Sequence, residues 1–91
     1  MKEIINIINN LKDETSEDKE QIKRALKCTK YKLYDDYNHA KKISRKAAIE
    51  ILGAETFVSG LQRSAFHWTA CRSNEDKTIM FDSSELFKEV K

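Results

Sequence analysis

The chain has 91 residues, no proline and only two glycines. Those two residue types break helices and strands and set sharp turns. A chain almost without them must end its elements with caps, charges and changes of hydrophobic period, and the balance favours helix. Hydrophobic residues make up 40% and charged residues 35%, the composition of one packed soluble domain over residues 1–91. A chain of this length buries roughly two-thirds of its unfolded surface, enough for a single modest core. No apolar run approaches the ~20 residues of a membrane span. Asn6, Asn9 and Asn10 interrupt the N-terminal isoleucines, so no signal-peptide core forms there. The expected setting is cytoplasmic, with no membrane partner.

Ile4, Ile5, Ile7, Ile8 and Leu11 recur at helical spacing and predict a short amphipathic helix from about Lys2 to Lys12. After a polar break, Thr15 or Ser16 can cap a second helix, with Glu17 and Asp18 where the helix dipole favours anions. Ile22, Leu26, Thr29, Leu33, Tyr37 and Ala40 then step by fours and threes, which predicts one long helix carrying this stripe, with a possible break near Asp35, Asp36 and Asn38. Ile43 and Ser44 read as staple and cap of a third helix, which turns Ala47, Ala48, Ile51 and Leu52 inward and stops at Gly53 in a left-handed conformation. A fourth begins three residues later, after a three-residue turn, with Phe57, Val58, Leu61 and Ala65 as its apolar face, and Gly60 as its weak point.

After Ser64 the period changes from 3.6 to 2. Phe66, Trp68 and Ala70 are expected on one face of a strand, packed with Phe81, and His67, Thr69 and Cys71 on the other. Residues 73–76 make a polar turn, Lys77 to Phe81 a second strand, and Asp82 caps a closing helix bearing Leu86, Phe87 and Val90. The expected fold class is therefore α+β and mainly helical: four to five helices with one C-terminal β-hairpin. Residues 1–42 form a helical N-terminal part. Residues 43–91 form a helix-turn-helix, the hairpin and the closing helix.

Seventeen basic and fifteen acidic residues give a net charge of only +2. The distribution is uneven: residues 19–46 hold ten basic and three acidic side chains, so this segment is +7 and the remainder −5. A basic middle suits phosphate or an acidic protein, although a solvated helix face looks the same. Cys28 and Cys71 are the only cysteines and are expected as reduced thiols. His67 and Cys71, on one strand, would lie roughly 13 Å apart, too far to share a zinc ion. No serine has a base positioned by sequence, and no glycine-rich loop cradles phosphate. Neither catalysis, a metal, a cofactor nor a small-molecule substrate is expected.

The stretch Ile43-Ser-Arg-Lys-Ala-Ala-Ile-Glu-Ile-Leu-Gly53 resembles the opening helix and turn of small excisionase-like and MerR-like winged helix-turn-helix domains. Ile79-Met-Phe-Asp-Ser-Ser-Glu-Leu-Phe87 is similar to their second wing strand running into a closing helix. The resemblance covers residues 43–90 and rests on caps and periods rather than an invariant motif. It implies a DNA-binding accessory or regulatory protein whose recognition helix, near Glu55–Ala65, enters a major groove of double-stranded DNA. Gln62 and Arg63 would read bases there, since glutamine suits adenine and arginine guanine. Arg45 and Lys46 would hold phosphate from the first helix, Lys41 and Lys42 from just before it, and Arg72 and Lys77 from the wing. The competing expectation is a protein-binding module, such as an inhibitor encoded by a phage or mobile element.

Overall fold

A computed structural model describes residues 2–36, 39–66, 69–73 and 77–84. Its elements run α1 (Lys2–Asn9), α2 (Ser16–Cys28), β1 (Lys30–Asp36), β2 (His39–Ile43), α3 (Arg45–Leu52), α4 (Ala54–Ser64), β3 (Thr69–Arg72) and β4 (Thr78–Asp82). The strands form one antiparallel sheet in the order β2-β1-β4-β3.

The caps act where the sequence places them. Thr15 accepts a hydrogen bond from the Asp18 amide at the start of α2, and Ser44 accepts one from the Ala47 amide at the start of α3. Such a side chain satisfies one of the amides that a helix start leaves without a partner. Lys19 donates to the Asn9 carbonyl and so closes the end of α1 from the neighbouring helix. At the other end of the chain, Asp82 accepts from the Ser84 amide. The closing helix expected beyond it lies outside the described residues.

The long second helix is the principal correction. Helix α2 ends at Cys28, and Thr29 is already extended. Strands β1 and β2 pair antiparallel, so the N-terminal part is not all helical and the β3–β4 pair is not the only antiparallel one. The physical reason is a period of 2 hidden under a coincidental spacing of fours and threes. Tyr31 is buried and Leu33 half-buried on the core face, while Lys30, Lys32 and Tyr34 alternate onto the other. Tyrosine and threonine also favour a pleated strand.

The helices pack on one face of the sheet. Helix α4 is the hub: it meets β3 and β4 on one side, α1 and α2 on another, and α3 on a third. Phe57, Val58 and Leu61 of α4 are buried with Ile4 and Ile8 of α1, Ile22 and Leu26 of α2, and Ile79 and Phe81 of β4. The rings of Tyr31, Phe57 and Phe81 form a triangle with centroids 5.2–5.4 Å apart. Aromatic pairs at this spacing gain from their edge and tilted geometries as well as from burial.

The expected parity of β3 is reversed. Cys71 faces the core, Ala70 is exposed, and Phe66, in the turn after α4, is 59% exposed. Burial is decided by which residues meet α4, and Gly60 leaves room there for the Cys71 sulfur and the Phe81 ring. His67 and Trp68 lie outside the described residues.

Candidate nucleic-acid interface

The α3–α4 joint has no multi-residue turn. A single residue, Gly53, ends α3 and begins α4: its amide donates to the Ile49 carbonyl and its carbonyl accepts from the Phe57 amide. Its angles, φ 84° and ψ 153°, correct the expected left-handed helical conformation. They fall in a region that glycine alone adopts without strain. One residue thus serves both helices, which holds α4 at a fixed angle to α3.

The exposed strip of α4 carries Glu55, Thr56, Ser59 and Arg63. Gln62 is half-buried, and its amide donates to Glu14 in the α1–α2 connection at 3.1 Å. The Arg63 guanidinium donates to the Cys71 sulfur at 3.0 Å. Burial pushes the Cys71 thiol up, and Arg63 offsets part of that. The two side chains expected to read bases are therefore already engaged within the molecule. Cys28 is half-buried, and neither cysteine is in a disulfide.

Arg45 and Lys46 begin α3, but they differ in accessibility. Lys46 is exposed. Arg45 is half-buried against Tyr31, with its Nε closed off from water. The Tyr31 hydroxyl is buried without a hydrogen bond. Burial pushes this phenol up to about 12; the guanidinium pulls it part of the way back, although the contact falls short of hydrogen-bond geometry. Arg72 ends β3 and Lys77 precedes β4, which brings both to the tip of the C-terminal hairpin. The Lys77 amide donates to the Ser73 hydroxyl there.

The lysines of residues 30–42 assemble through strand pairing rather than along a helix face. Antiparallel pairing sets Lys32 opposite Lys42 on β2 and opposite Met80 on β4, all on the face turned away from the helices. Lys30, Tyr34 and Arg72 share this face by alternation. Asp82 lies among them, its carboxylate 3.8 Å from the Lys32 ammonium. The Ser84 hydrogen bonds, more than the lysines, hold Asp82 below the usual carboxylate range.

Among the described residues no group of three His, Cys, Asp or Glu side chains could hold a metal, and no helix is long and apolar enough to cross a membrane. No family model, no curated protein and no solved structure matches this chain.

Proposed function

We propose that the protein is a small, non-enzymatic DNA-binding accessory or regulatory protein of winged-helix type. The observation that carries this reading is the order of elements. Helix α2, strand β1, the α3–α4 pair and the β3–β4 hairpin follow one another, and β4 returns to lie beside β1. A winged helix has this order; β2 is then an added edge strand. In this reading the exposed strip of α4 faces the major groove, with Lys46 at the start of α3 and Arg72 and Lys77 at the wing tip on phosphates.

Phosphate contacts dominate affinity and make it fall steeply with salt. Purified protein titrated into labelled duplex at low and near-physiological salt is the direct test. Replacing Lys46 and Lys77 together by Ala should weaken binding to all duplexes alike and reduce the salt slope by about two. Absence of duplex binding at low salt, with the fold intact by circular dichroism, overturns the reading.

A protein-binding module is the second reading, and a specific observation favours it. Phe66, at the foot of α4, is 59% exposed, the one exposed large hydrophobic side chain among the described residues. The neighbouring α4 strip carries one acid and one base. Binding through such a patch would respond weakly to salt.

A further inference from the structure

We infer that the open face of the sheet, on the opposite side from α3 and α4, is a binding surface for single-stranded nucleic acid. Among the described residues the helices cover one face only, and the side chains described on the other face are exposed or half-buried along all four strands. Among the side chains described on this face, Lys30, Lys32, Lys42 and Arg72 stand with one acid, Asp82. Tyr34 and Met80 are interleaved with them. Adjacent strands lie about 4.8 Å apart, so the row Lys42, Lys32, Met80 spans only about 10 Å.

Lysines on an edge strand guard against pairing with other chains. That accounts for Lys41 and Lys42 on β2. It does not account for Lys30 and Lys32, because β1 lies inside the sheet with a strand on each side. Nor does the fold gain from placing Lys42 directly opposite Lys32, since like charges in a cross-strand pair destabilise a sheet. The arrangement concentrates positive charge where packing does not ask for it.

The occupant follows from what lies between the cations. A duplex buries the faces of its bases and would meet the cations with phosphate while leaving Tyr34 and Met80 nothing to do. A single strand supplies both: phosphates for the lysines and unstacked bases for the tyrosine ring and the methionine. An acidic peptide would use the charge and not the ring.

The test uses fluorescence anisotropy of the full chain with three probes: a labelled oligothymidylate, a duplex of equal length, and a labelled polyglutamate. The single strand should bind most tightly, with a salt slope near −3, since four phosphate contacts each contribute about 0.7. Tyr34→Ala should weaken it at least fivefold, whereas Tyr34→Phe should bind like the wild type. Lys42→Glu places an acid opposite Lys32, so it should leave the fold at least as stable in denaturant while weakening the single strand about tenfold. Replacing Lys46 and Lys77 by Ala should not change single-strand binding, which separates this face from the duplex surface, with Arg72 the one residue common to both. Equal binding of polyglutamate, single-strand binding indifferent to Tyr34, or no binding by the folded protein would each overturn the inference.

Discussion

Gly60 shows how a residue that weakens a helix in isolation can be required by its packing. In an exposed helix, glycine to alanine gains about 1 kcal/mol, because alanine has less backbone freedom to lose. Here a Cβ would lie 2.5 Å from Cζ of Phe81 and 2.8 Å from the Cys71 sulfur. Phe81 is fully buried and held by Tyr31 and Phe57, so it has little room to withdraw. Overpacking of this kind costs typically 1–3 kcal/mol and outweighs the gain in propensity. Gly60→Ala should therefore lower stability by about 1–2 kcal/mol in urea unfolding; an unchanged or higher midpoint would mean that α4 lifts from the sheet at no cost. The same contact shows what sequence conceals. Gln62 and Arg63 appear as outward polar positions on a helix, but their partners, Glu14 and Cys71, are supplied by other elements. The 48-residue separation of Gln62 and Glu14 leaves no local trace.

At the scale of the element, local chemistry was legible wherever it decided the structure alone. Thr15, Ser44 and Gly53 mark their helix boundaries because capping depends only on nearby backbone. The apolar residues of α1 and α4 read correctly because no competing period overlies them. Residues 30–36 failed for the opposite reason. Thr29 and Leu33 continue the Ile22–Leu26 spacing, while Tyr31 and Leu33 also alternate with Lys30 and Lys32, and only the pairing of β1 between β2 and β4 selects the second pattern. The basic surface was hidden by the same misreading, since a helix would have spread these lysines that the sheet gathers. Gly53 offers a clean test of the element-level argument. A Cβ there would meet nothing within 4 Å, so Gly53→Ala isolates the conformational cost. With φ at 84° that cost should be about 1–3 kcal/mol. Thermal unfolding should show the loss; retention of the wild-type midpoint would mean that the α3–α4 joint relaxes into another geometry.

For the whole molecule, one side chain ties the layers together. Tyr31 belongs to β1, its ring touches Phe57 of α4 and Phe81 of β4, and Arg45 at the start of α3 lies beside its hydroxyl. Charging that hydroxyl should therefore destabilise the molecule as a unit. Its pKa is pushed from 10.0 up to about 12 by burial. Below pH 10 the phenol is neutral in the folded and unfolded chains alike, and its contribution to stability is fully present. Above that the unfolded chain loses the proton while the folded chain keeps it, so unfolding is increasingly favoured as the pH rises toward 12. The full effect is about 2–3 kcal/mol, a large share of the 5–15 kcal/mol typical of a domain. Alkali changes the charge of the whole chain as well, so the measurement must be a difference. Tyr31→Phe keeps the ring and removes a buried hydroxyl that has no hydrogen bond. Removing such a group costs little, so this variant should match the wild type near neutral pH. Its advantage should then grow by about 2 kcal/mol between about pH 9 and pH 12, with circular dichroism and fluorescence reporting one shared transition. Parallel pH profiles for the two proteins would show that the Tyr31 hydroxyl reaches water, and that the aromatic triangle does not close the centre of the fold.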